Sequence, residues 1–221
     1  MLVSELLNRA SIELTDTQRI YWGLDDLLSY YNSAISAIAS ARPDIFIKTQ
    51  SFACAAGTRQ TAPTGTIKLI DVERNSLTGK TIRYVSRADL ESLIPSWASS
   101  TGGVEAELYI HEPTNITAFW LYPGVKAGAS VDLVLSILPI PVTKSEVGSG
   151  ADVQVDDRYI TPCLDWIMYR AFMRDSEVTA NASRGQIHLQ SFTNALAIST
   201  ETDATMLAMR DSQASTKGGR Q

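Results

Sequence analysis

The chain has 221 residues, 44% of them hydrophobic, enough to bury the core of one large domain or two modest ones and too apolar for a disordered chain. Acidic residues outnumber basic ones, 24 to 19, for a formal net charge of -5, and no Lys/Arg run occurs, which argues against a grip on nucleic acid or an anionic membrane. Cys54 and Cys163 have neither Cys-x-x-Cys spacing nor a neighbouring histidine, the pattern of buried thiols in a reducing compartment.

The opening MLVSELLNRAS lacks a basic n-region and meets Glu5 before an apolar stretch could form, and no later run reaches membrane-span length. The expectation is a soluble protein used without secretion. Val3, Leu6, Leu7 and Ala10 recur at helical spacing. A second stripe, Leu24, Leu27, Leu28, Tyr31, Ile35 and Ile38, follows, with Asp25 and Asp26 in the dipole-favoured first turn and Pro43 as the stop. Gly23-Leu24 stands where a polar N-cap is expected. Residues 1–44 thus form the first part of a helical bundle.

From 45 to 142 the pattern becomes short β-branched and aromatic runs between turn residues. Strands are predicted in IFIKTQSF, TIKLIDVER, TIRYVS, EAELYI, TAFWLYP and VDLVLSILP. RNSLTGKTIR reads as a hairpin. SRADLESLIPSW reads as a short helix with Ser86 as N-cap and Asp89 at the capping-box position. HEPTNITAFWLYPG, His111 to Gly124, reads as a tight turn between EAELYI and TAFWLYP, with Ile116, Ala118, Trp120 and Tyr122 alternating onto one face. This is an inserted antiparallel β-rich domain, a small sandwich or barrel.

Residues 143–157 are polar and Gly-containing and read as a connecting loop. The bundle resumes over 158–198. Ile160, Cys163, Leu164, Ile167, Met168, Ala171 and Phe172 make a full helical stripe, with Thr161 as N-cap and Pro162 as first helical residue. A last helix from about Glu177 to Ile198 carries Val178, Ala182, Leu189, Phe192 and Leu196. A Ser/Thr/Gly-rich C-terminal arm, 199–221, holds the apolar patch MLAM. The fold class is therefore α+β: an antiparallel bundle of two N-terminal and two C-terminal helices, an inserted β-rich domain, and an extended tail.

On the third long helix, Trp166, Tyr169 and Met173 form a second stripe roughly half a turn from the first, at about 100° per residue. A second apolar face needs a second contact, either a neighbouring helix of the same bundle or another subunit.

Catalytic patterns fail on spacing. His111-Glu112 lacks the second histidine of a His-Glu-x-x-His zinc site, and Pro113 opposes a helix there. Gly79-Lys80-Thr81 has Arg74 where a phosphate loop needs glycine. Gly148-Ser149-Gly150 is followed by Val153 instead of a third glycine. No Gly-x-Ser-x-Gly elbow exists, and Cys163 lies on a core stripe. The Asn115 and Asn181 sequons matter only in a secretory pathway, and their residues suit the turn and helix start they occupy. No catalytic residue, metal or cofactor site is assigned, and the protein is not expected to be an enzyme.

Several segments in order carry a resemblance: WGLDDLLSYYNSAI from Trp22, RPD from Arg42, GTRQ from Gly57, IKLIDVERN from Ile67, the His111–Gly124 stretch, YRAFMRDSE from Tyr169, and ANASR from Ala180. Together they span about Leu2 to Ile198 and resemble the head-to-tail adaptor (connector) proteins of short-tailed bacteriophages. The resemblance implies a virion structural protein at the portal-tail junction, assembled in the host bacterial cytoplasm. It further implies a homo-oligomeric ring, a dodecamer, joining the phage portal protein to the tail nozzle protein beside tail fibre or spike proteins. DNA would pass through the channel without specific binding, which an acidic subunit favours because phosphate contacts add strong, salt-dependent binding. Within that reading Trp166, Tyr169 and Met173 are subunit-interface candidates, and Met206, Leu207, Met209 and Arg210 on the arm are partner-docking candidates. The alternatives are another phage neck or minor virion protein and a small hydrolase with an unrecognised site.

Overall fold

A computed structural model describes the chain except residues 113, 116, 175–178 and 219–221, and except the side chains of 179, 204 and 206–218. In chain order the elements are α1 (Val3–Glu13), α2 (Leu24–Ala41), β1 (Ile47–Ala53), β2 (Gly57–Thr61), β3 (Thr66–Asn75), β4 (Arg83–Tyr84), α3 (Arg87–Leu93), β5 (Leu108–His111), β6 (Ala118–Val125), β7 (Ser130–Ile137), α4 (Lys144–Gly148), α5 (Ile160–Arg174) and α6 (Thr179–Gly218). They fall into two compact units, Met1–Arg42 with Pro139–Gln221, and Pro43–Leu138.

The helical unit is built on the expected stripes. Val3, Leu6, Leu7 and Ala10 of α1, Leu27, Leu28, Tyr31, Ile35 and Ile38 of α2, and all seven stripe residues of α5 are buried, each large aliphatic contributing about 1.5–3 kcal/mol by leaving water. Gly23 needs no polar side chain as N-cap, because its N–H donates to the Asp26 carboxylate at 3.2 Å. α5 begins earlier than expected. A 3-10 turn at Asp157–Tyr159 leads into Ile160, so Thr161 is already helical rather than the cap, and Pro162 sits in the first turn, where its missing N–H has no partner to lose.

The segment expected as a connecting loop contains α4, capped by Thr143, whose Oγ1 accepts from the Glu146 N–H at 3.4 Å. It then anchors the N-terminus: the Val3 N–H donates to the Ala151 carbonyl and the Val153 N–H to the Met1 carbonyl, both at 2.9 Å.

The last helix continues past Ile198 to Gly218. The segment after Ser199 contains good helix formers and meets no Gly or Pro before Gly218. Its threonines stay compatible with the helix by donating one turn back, Thr200 to Leu196, Thr202 to Ile198 and Thr205 to Glu201, at 2.8–2.9 Å. The buried Arg42 at the end of α2 fixes this segment. It donates to Ser199 Oγ at 3.0 Å and pairs with Asp203, and Tyr159 reaches Ser199 at 3.1 Å.

The second unit is a sandwich of a three-stranded sheet, β1-β7-β3, and a four-stranded sheet, β2-β6-β5-β4. Leu69, Val72, Phe119, Leu121, Val131, Leu133 and Leu135 fill the space between them. The turn of RNSLTGKTIR forms, with Asn75 N–H to Lys80 carbonyl at 2.9 Å and Ile82 N–H to Glu73 carbonyl at 3.1 Å. The strand expected across TIRYVS is reduced to Arg83–Tyr84 and pairs parallel to β5, so the sheet is mixed rather than wholly antiparallel. Ile82 turns into the core, and Arg83 and Val85 then donate to Glu107 and Tyr109 carbonyls at 3.0 Å.

β5 and β6 form the expected antiparallel hairpin, with His111 opposite Phe119 and Leu108 opposite Tyr122. Ile116 lies outside the described residues. The strand is not one-faced: Phe119 and Leu121 enter the sandwich core, while Trp120 and Tyr122 pack with Ile110 against Leu90 of α3 and Trp97. Burial on both faces explains why AFWLY is apolar without alternation.

Candidate interaction surfaces

Two buried polar side chains brace turns of the sandwich from inside. Gln60, almost fully buried, accepts from the Ala55 N–H at 2.8 Å and donates to the Ala55 and Gly57 carbonyls at 2.9 and 3.2 Å. It thereby braces the turn that Gly57 makes in the left-handed region, φ 101°. Asn75 does the same at the other hairpin, donating to Ala106 and Lys80 carbonyls at 2.8 and 3.2 Å and accepting from the Ala106 N–H at 2.9 Å. Gly124 is required by close approach, because a Cβ there would overlap the Ser100 carbonyl.

His111 and Glu112 take part in packing. Glu112 accepts from Arg87 Nε at 2.5 Å, and the Arg87 guanidinium lies over Trp120 at 4.5 Å and Trp97 at 5.7 Å. Burial pushes the His111 imidazole below its ordinary pKa. His188 has an acidic neighbour, but the arrangement is not a hydrolytic triad. Asp165 bonds both His188 Nδ1 and Ser191 Oγ, each at 2.8 Å, so the hydroxyl is held by the carboxylate and not by the imidazole that would have to take its proton. Burial pushes Cys54 and Cys163 up to about 11 and about 12, leaving both as inert thiols near neutral pH. Among the described residues no three His, Cys, Asp or Glu side chains gather as metal ligands, and no helix is long and apolar enough to cross a membrane.

The second stripe of α5 divides. Trp166 is held within its own chain: its indole N–H donates to Ser33 Oγ of α2 at 3.1 Å, and its ring lies 4.8 Å from Phe192 of α6. Tyr169 and Met173 instead line a groove of about 440 Å³ with Tyr30, Arg170 and Arg174. The docking candidates Met206, Leu207, Met209 and Arg210 have side chains outside the described residues.

Beside that groove lies a surface that periodicity did not reveal. The loop between α1 and α2 is organised by Asp16, whose carboxylate accepts the N–H groups of Ile20, Tyr21 and Trp22, all at 2.9 Å. These bonds, Trp22's foremost, hold the Asp16 carboxyl below the usual carboxylate range against a smaller effect of burial. Thr15 and Arg19 adopt φ 55° and 53°, uncommon for residues with a Cβ, and Arg19 is tied back to Ser11 and Asn8. The loop leaves Ile20 87% and Tyr21 52% exposed, with Arg174 5.8 Å above the Tyr21 ring. An aspartate four residues before an apolar-aromatic pair was the available signal.

The buried thiols are inert, and Ile20, Tyr21, Tyr169 and Met173 are the apolar and aromatic side chains that the helical unit presents at this loop and groove. The SU10 adaptor protein family model matches residues 1–215. The chain belongs to that family of structural phage adaptors, which places its role in the virion. No curated protein matches the chain.

Proposed function

We propose that the protein is the head-to-tail adaptor of a short-tailed phage, assembling as a ring that joins the portal protein to the tail nozzle and leaves a channel for DNA. The family match over residues 1–215 carries this reading. The acid excess, -5 overall, supports it, since a lumen that must release DNA works better without a dense array of phosphate contacts. Tyr169 and Met173 remain candidates for subunit contact from the groove they line. Trp166 contributes by holding α5 against α2 and α6.

Size-exclusion chromatography with light scattering tests the reading on the full chain, alone and mixed with its portal protein. A ring, or a stoichiometric complex with the portal, is the expected result. A chain that stays monomeric and leaves the portal unbound would refute the adaptor role and favour another neck or minor virion protein.

A further inference from the structure

From the helical unit we infer that each copy presents a knob, Ile20 and Tyr21, that enters a socket on the next copy lined by Met168, Phe172 and Ile187. The inference rests on the adaptor reading and specifies which surfaces meet. Three observations carry it.

The first is rigidity. Three N–H bonds to Asp16, two left-handed non-glycine residues and the Arg19 ties fix a loop whose apolar tip is in water. A preformed apolar tip reduces the ordering entropy paid on association.

The second is a depression on the helical unit. Glu13, Met168, Phe172, Arg184, Ile187 and His188 line a depression of about 460 Å³; Met168 and Phe172 are its largely buried floor, and Ile187, 66% exposed, is the apolar side chain an incoming group would meet first. At about 100° per residue, Met168 and Phe172 point roughly 150° away from the centre of the groove residues Tyr169, Arg170, Met173 and Arg174. The groove, whose Arg174 lies over Tyr21 of the knob, and the socket thus lie on opposite faces of α5. A surface that meets a different surface on its neighbour gives a head-to-tail contact, the type that closes into rings.

The third is charge. Arg170, at the groove, has the Tyr30 ring at 5.8 Å and no acidic partner among the described residues. Glu13, at the socket, has no basic partner among the described residues. Arg184 lies over Phe172 at 5.9 Å and is exposed at the same depression, so its outer face can meet the incoming Tyr21 ring. The occupant these groups fit is a second copy of the chain.

The test uses Ile20→Cys and Ile187→Cys in separate full-length chains, mixed under mild oxidation, with the assembly followed by light scattering alone and on the portal. Both positions are exposed, so folding should survive, and circular dichroism verifies it. A disulfide-linked pair between the two different variants is expected, and Ile20→Asp should weaken assembly about ten-fold or more. If rings form but the mixed pair does not, and Ile20→Asp assembles normally, this contact is overturned while the adaptor reading stands. Dominant pairing of Ile20→Cys with itself would also overturn it, since the contact would be symmetric. If nothing assembles even with the portal, both readings fail.

Discussion

The two units use polar residues in opposite directions. In the sandwich, Gln60 and Asn75 turn inward and satisfy the backbone of the turns beside them from within the core, while Leu77 at the tip of the Asn75 turn stays exposed. In the helical unit, Asp16 organises a loop just as firmly, yet the result is to hold Ile20 and Tyr21 outward. The same device, a side chain replacing missing backbone partners, works from the buried core in one unit and from the half-buried Asp16 in the other. Rigidity alone therefore does not mark a functional surface.

The largest expected effect is in the sandwich. Asn75→Ala removes three hydrogen bonds and leaves the buried Ala106 N–H unpaired, so a loss of about 2–4 kcal/mol is expected in denaturant unfolding. A loss below about 1 kcal/mol would mean that the turn is braced by other groups. Gly124→Ala comes next at about 1–3 kcal/mol, since the Ser100 backbone must move to admit a methyl. An unchanged midpoint would argue against that close approach.

Arg42→Ala should cost about 1–2 kcal/mol, less than an entirely buried pair because Asp203 is 37% exposed and can be rehydrated. Its clearer sign is faster amide exchange over residues 199–205 while α5 stays protected. Uniform deprotection of α5 and α6 would instead make Arg42 a general bundle residue. Asp16→Ala should lower the global unfolding midpoint only slightly while amide exchange at Ile20, Tyr21 and Trp22 accelerates strongly. Equal exchange in both proteins would break the contrast between the two units.

The pH profile follows from the same groups. Hydrogen bonds hold Asp16, Glu105, Asp132 and Glu146 below their ordinary values. Their contribution is complete above the ordinary carboxylate range, about 4, and is lost as pH falls through the lowered values. Burial raises Tyr31 to about 12, so its contribution holds below about 10 and is lost as pH rises toward 12. Unfolding measured from pH 2 to 12 should show both declines. A profile still rising below pH 4 would contradict the first.

The helices of the bundle were legible because burial imposes period on sequence: the α1, α2 and α5 stripes are buried where spacing put them. β2 was not legible as a strand. GTRQT lacks an apolar alternation because its inward Gln60 is polar. The α6 extension was obscured by Ser and Thr, whose back-bonding inside a helix leaves no periodic trace. The Ile20–Tyr21 loop lay beyond reach of periodicity altogether, since its order comes from one carboxylate and two unusual φ angles.

The adaptor claim is tested most directly by gold-labelled antibodies against this chain on intact virions, viewed by electron microscopy. Label confined to the junction of head and tail is the expected result. Label on the capsid faces or at the distal tail tip, with the junction bare after mild opening of the particle, would contradict the account.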